Sequence, residues 1–130
     1  MIYIASPYTS VDVGEMNARF LEACIALSRL SELGVPAFVP IAHSGYAHLH
    51  YRATEDRDYW MAIGLDILKI CSSVMVLQLD GWKDSVGIKE ELKEARELGL
   101  PITYVTLGDL DRQVQEYRKR RKHGLPTHLR

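Results

Sequence analysis

The chain has 130 residues, 47% of them hydrophobic and 25% charged, with a formal net charge of −1. That length fits one domain that buries roughly two-thirds of its unfolded surface, and the balanced charge excludes a global basic field aimed at nucleic acid. No apolar run approaches membrane-spanning length. The first residues open directly on a strand-like segment without a signal peptide, so a cytoplasmic protein is expected.

Ile2 to Ala5 reads as a buried strand ended by Ser6-Pro7-Tyr8-Thr9-Ser10. Asp12 with Glu15 three residues on is a capping-box-like start for a long helix. Its core face is Met16, Phe20, Ala23, Cys24, Leu27 and Leu30, and Gly34 closes it. Val35 to Ile41 is expected as a second strand bracketed by Pro36 and Pro40. An irregular segment rich in His and Tyr follows from Ala42 to about Thr54. A second helix is expected from about Glu55 to Cys71, with Trp60, Ile63, Ile67 and Ile70 inward. Cys24 and Cys71 read as core thiols of a reducing compartment, since neither belongs to a CxxC pair.

Val74 to Leu79 is an almost uninterrupted apolar strand, as at the centre of a parallel sheet. Gly81 to Glu91 leads from it into a helix stopped by Gly99 and Pro101. Ile102 to Thr106 is a fourth strand, and Asp109 to about Lys122 a last helix with a basic polar tail over 118–130. Strands alternating with helices imply βαβ units. The expectation is one α/β domain spanning 1–130: a three-layer αβα sandwich, flavodoxin-like (Rossmann-like), with a parallel sheet of four to five strands. Ligands of such folds sit beyond the carboxyl ends of the strands, where the strand order reverses. That places Ser6, Pro7 and Tyr8, then Ile41 to His43, then Asp80, Gly81 and Trp82 at the ligand edge.

Glu91 carries the strongest single signal. Lys89, Glu90, Lys93, Glu94, Arg96 and Glu97 form the polar face of its helix, and Ile88, Leu92, Ala95 and Gly99 the apolar stripe. At about 100° per residue Glu91 falls inside that stripe. A carboxylate there costs free energy unless it is paired or lines a cavity. Its plain alternative is a carboxylate near a helix N-terminus favouring the macrodipole.

Asp84 or Ser85 reads as the N-cap, which by itself explains the residue type. Gly87 has weak helix propensity, so close approach of a ligand to the backbone is the other reading. Asp66 lies at the edge of its helix stripe, with a solvated position as the alternative. Tyr3 is an aromatic inside a strand whose hydroxyl needs a partner. His43, His48 and His50, interleaved with Tyr46 and Tyr51, read as a surface loop or a substrate-contacting loop; they lack the regular donor set of a metal site. Arg118 to Lys122 reads as a solvated basic helix end, with a phosphate or nucleic-acid contact as the alternative.

The segments "YIASPYTS", "LDGW" and "DSVGIKEELKEARELGLPITYV" resemble the nucleoside 2-deoxyribosyltransferase superfamily, in particular its bacterial and phage branch of small proteins of unknown function. The resemblance runs roughly from Ile2 to Val105. It implies that Glu91 is the nucleophile at the anomeric carbon of a (deoxy)ribosyl group and that Tyr3 hydrogen-bonds it. It implies that Ser85 and Gly87 hold the sugar or its 5′-phosphate, and that Asp66 assists the leaving base. The Gly-Ser-x-Arg loop of the nucleotide-hydrolysing members is not reproduced, because Ser6-Pro7-Tyr8-Thr9 lacks the arginine.

The functional expectation is therefore an N-glycosidase or (deoxy)ribosyltransferase acting on a nucleoside or nucleotide, with no metal or organic cofactor and, by analogy, a homo-oligomer. Cleavage through an oxocarbenium-like state suits a nearby carboxylate. Two alternatives stand beside it: a non-catalytic nucleotide or sugar-phosphate binding module, and an interaction protein working through the basic tail.

Overall fold

The computed structural model of the chain describes residues 1–127. Four strands are present among the described residues: β1 (Ile2–Ala5), β2 (Ala37–Phe38), β3 (Ser73–Leu77) and β4 (Ile102–Val105). All pair in parallel in the order β2-β1-β3-β4, so the order reverses between β1 and β3. This is the flavodoxin-like arrangement. The helices are α1 (Val13–Glu32), α2 (Pro40–His50), α3 (Arg57–Leu68), α4 (Val86–Glu97) and α5 (Leu107–Lys122), and a short 3-10 turn, Trp82–Asp84, leads into α4.

Strand alternation sorts the core into two halves. Tyr3, Ala5, Val74 and Val76 pack with Leu68 of α3 and Ile88, Leu92 and Ala95 of α4. Ile4, Leu77 and Val105 pack on the other face with Ala23, Ala26 and Leu30 of α1 and Leu110 of α5. The three layers follow directly, because a strand buried on both faces must hide successive side chains on opposite sides.

Several boundaries differ from the expectation. The second strand is only two residues long, and the segment expected to be irregular is largely helix. Pro40 occupies the first turn of α2, where its fixed φ and missing N–H are favourable, so it starts a helix rather than bracketing a strand. Gly45 then lets α2 close on α1: a Cβ at Gly45 would stand 2.2 Å from the Phe20 ring. Tertiary contact of that kind outweighs the modest helix propensity of a Gly-, His- and Tyr-rich stretch.

Asp56 caps α3 through the Asp58 N–H, so the helix begins at Arg57. It ends at Leu68, which leaves Ile70 75% exposed beyond it. On α1 the buried positions are Phe20, Ala23, Ala26 and Leu30, whereas Met16 and Cys24 are half-buried and Leu27 is exposed. Asp12 does cap α1, accepting from the Gly14 N–H. Glu15 pairs with Arg19 rather than closing a capping box. A complete capping box occurs instead on α5, between Thr106 and Asp109. Residues 128–130 of the basic tail lie outside the described residues.

Candidate active site

Tyr3 and Glu91 meet between the sheet and the α3–α4 layer. The Tyr3 hydroxyl donates a short hydrogen bond to the Glu91 carboxylate. Tyr3 is 1% exposed and Glu91 7%. Each element contributes one requirement. Central strand β1 aims Tyr3 toward α4, and the apolar stripe of α4 carries Glu91 into the core beside Ile88, Leu92 and Ala95. Gly64 of α3 makes room for the hydroxyl, since a Cβ there would lie 2.7 Å from it.

Burial sets the electrostatics. Removal from water pushes the Glu91 carboxyl up to about 7; the Tyr3 hydrogen bond pulls it back down in part, and the neighbouring Glu90 charge adds a smaller upward push. The Tyr3 hydroxyl is held far above the usual phenol range, first by burial and then by the Glu91 charge. Strongly shifted acids of this kind cluster at functional sites, and structural carboxylates share the property.

The residues expected at the ligand edge follow β1, β2 and β3. Ser6 and Pro7 are buried, and the Ser6 hydroxyl finds no partner among the described residues. The Tyr8 hydroxyl lies 2.6 Å from His48 Nδ1 of α2. The Asp80 side chain is exposed. Gly81 adopts the left-handed conformation at φ 85°, and the half-buried Trp82 ring packs on the core half that holds Tyr3. Ser85 is the N-cap of α4, accepting from the Ile88 N–H at 3.2 Å. Gly87 is not forced by crowding, because a Cβ there would make only ordinary contact with Met61 at 3.7 Å. His43 is exposed, with its ring tilted on Phe38, which in turn lies against Tyr3.

Asp66 is not brought to this group. Its side chain is 80% exposed and ion-pairs with Lys69 at 3.7 Å. Gly64 and Leu68 are the buried positions of α3, and Asp66 lies two residues from each, which at about 100° per residue turns it to the opposite side. The expected helper of the leaving base is therefore a solvent-facing residue in this chain.

Arg19 organises this region and is absent from the sequence reading. Its guanidinium donates to the Tyr8 carbonyl at 3.2 Å, the Thr9 carbonyl at 2.9 Å and the Asp80 carbonyl at 3.1 Å. Only 11% of its side chain is exposed, and Glu15 balances its charge at 2.6 Å. It thus ties the loop after β1 to the loop after β3 across the point where strand order reverses. Gly81 beneath it sits at φ 85°, where a side chain would be strained, and a Cβ would also meet the guanidinium at 2.6 Å. A signal was present: Arg19 falls three residues after Met16 and four before Ala23, on the apolar stripe of α1. His48 carries no signal of its own in the sequence beyond its place in a histidine-rich segment.

A cavity of about 280 Å³ lies beside this clamp, lined by Glu15, Ala18, Arg19, Glu22, Asp80 and Gly81. No group of three His, Cys, Asp or Glu side chains among the described residues is arranged to hold a metal ion.

The family model described as Domain of unknown function (DUF1937) matches residues 1–106. The chain belongs to the DUF1937 family. A search of the curated proteins finds no match. The span matched in this DUF1937 chain contains all four strands, the Tyr3–Glu91 pair and the Arg19 clamp, and it ends on Thr106, the N-cap of α5. The basic end of α5 lies outside it. There Arg118 pairs with Glu32 at 2.6 Å and Arg120 with Glu116 at 3.0 Å. No helix among the described residues is long and apolar enough to cross a membrane.

Proposed function

We propose that this protein cleaves the N-glycosidic bond of a nucleoside or nucleotide, with Glu91 as the nucleophile at the anomeric carbon. The observation that carries this reading is the buried Glu91 carboxylate held by the Tyr3 hydroxyl. A carboxyl near 7 is ionised in an appreciable fraction at neutral pH, yet it stands in an apolar setting where a neighbouring oxocarbenium charge is strongly stabilised. Attack by Glu91 makes an ester to the sugar as the bond to the base breaks. Water or a second base then releases the sugar. Tyr3 orients the carboxylate, and Ser85 with the first turn of α4 lies where sugar or phosphate oxygens would be held. No metal or organic cofactor is needed for these steps. The likeness to deoxyribosyltransferases also implies a cytoplasmic homo-oligomer, which sedimentation of the purified protein would test.

Incubation with ribo- and deoxyribonucleosides and their monophosphates, followed by chromatography, should show free base. A Glu91→Ala variant with undiminished base release would defeat the reading.

A non-catalytic binding module is the second reading. It is favoured by the position of the cavities, which open around Asp80 and Gly81 rather than on the Glu91 carboxylate. Calorimetry would then show nucleotide binding without turnover.

A further inference from the structure

A departing base needs a proton, and Asp66 faces solvent on the far side of α3. The exit of β1 offers another donor. Tyr8 stands three residues beyond the end of β1, the strand that carries Tyr3, and Ser6 between them in the chain has a buried hydroxyl without a protein partner among the described residues. A buried hydroxyl at the reversal of strand order is one that a ligand atom or a water can partner. The Tyr8 backbone is fixed there by Arg19. Its hydroxyl lies 2.6 Å from His48 Nδ1, with the two rings edge-on at 5.5 Å. The other His48 nitrogen, Nε2, faces the Glu55 carboxylate at 3.9 Å, and the His48 side chain is only 18% exposed. His43, by contrast, is exposed and lies against Phe38.

We propose that Tyr8 and His48 are the acid–base couple of the same site, Tyr8 protonating the leaving base and His48 resupplying Tyr8. This rests on the glycosidic reading of Glu91. In the first step the Glu91 carboxylate forms a bond to the anomeric carbon, and the C–N electron pair leaves with the base. The Tyr8 hydroxyl proton passes to the base nitrogen while the Nδ1 proton of a His48 imidazolium passes to the Tyr8 oxygen. Sugar ester, neutral base and neutral imidazole result. Water then adds to the anomeric carbon, its proton returns through Tyr8 to His48, and the ester electron pair returns to Glu91. Tyr8 is the catalytic residue of the couple. His48 acts through it, with the Glu55 carboxylate 3.9 Å from its Nε2.

The test uses two classes of probe: natural nucleosides, and 4-nitrophenyl ribo- and deoxyribofuranosides, whose leaving group departs without a proton. Tyr8→Phe and His48→Gln should each lower kcat/KM on nucleosides by about 100-fold or more, and stay within about threefold of wild type on the nitrophenyl glycosides. That retained turnover also certifies that the variants fold. Glu91→Gln should lose both activities. Parity of the Tyr8 and His48 variants with wild type on nucleosides, or equal losses on both probes in variants with unchanged thermal midpoints, overturns the couple alone. Wild-type turnover of the nitrophenyl glycosides without any of nucleosides also overturns the couple and leaves Glu91 in its role. A wild-type protein inert toward both probes overturns the glycosidic reading and the couple with it.

Discussion

The Tyr3 hydroxyl and the Glu91 carboxylate, 88 residues apart in the chain, share a hydrogen bond in the buried layer between β1 and α4. The pair carries an energetic cost that depends on pH. Glu91 has an ordinary value of 4.5 and is raised to about 7 by burial. A carboxyl raised on folding favours the folded state fully below its unfolded value, and this contribution is lost as pH rises through the folded value. Glu91→Gln keeps an acceptor for Tyr3 and removes the charge. The variant should match wild type in stability near pH 4.5 and exceed it by up to about 3 kcal/mol above pH 7. Urea titrations of both proteins at the two pH values check this.

The activity should follow the same group in the opposite sense. Only the ionised carboxylate attacks carbon, so on the nitrophenyl glycosides, whose departure needs no proton, kcat/KM should rise between pH 5 and 8 with its inflection near 7. Tyr3→Phe removes the one interaction that lowers the Glu91 carboxyl. Its pH–rate inflection should therefore move upward, with kcat at pH 7 reduced roughly 10- to 100-fold. An unmoved inflection would show that Tyr3 does not set the Glu91 charge.

Gly64→Ala probes the room left for the Tyr3 hydroxyl. The added methyl would lie 2.7 Å from that oxygen. The hydroxyl ends a rigid ring anchored in a central strand, so it cannot swing aside cheaply. We expect a loss of about 1–3 kcal/mol in stability, despite the better helix propensity of Ala, and a fall in activity. Chemical denaturation and base-release assays measure the two effects.

Arg19→Met keeps the apolar stem of the clamp and deletes its donors. The carbonyls of Tyr8, Thr9 and Asp80 would lose their common partner. Hydrogen exchange should accelerate by about tenfold or more in residues 6–10 and 79–84 and stay unchanged in β1 and β3. KM should rise more than kcat falls, because the ligand edge loosens while Glu91 remains in place.

Much of this was legible in the sequence because burial on both faces leaves strong patterns. Ile2–Ala5 and Val74–Leu79 stand out as apolar runs, the second ending two residues beyond the observed strand, and Glu91 stands out as a charge on an apolar stripe. α2 was not legible. Its helix depends on Gly45 nesting against Phe20, a contact that no local period encodes. Asp66 was misplaced for a related reason: the isoleucines at 63, 67 and 70 suggested one face, whereas Gly64 marks the true one by admitting the Tyr3 hydroxyl. Glycine carries no hydropathy signal, so the decisive contact of α3 was invisible to a pattern of apolar side chains. Arg19 obeyed the same stripe rule as Glu91 and was readable by it.

The central claim, covalent attack by Glu91, is tested most directly by mass spectrometry of protein quenched during reaction with a 2-fluoro-2-deoxy nucleoside, whose sugar ester hydrolyses slowly. One added fluorosugar mass is expected on the peptide that contains Glu91, and none in Glu91→Gln. Base release at the wild-type rate by Glu91→Gln, or a sugar carried on a different residue, would contradict it.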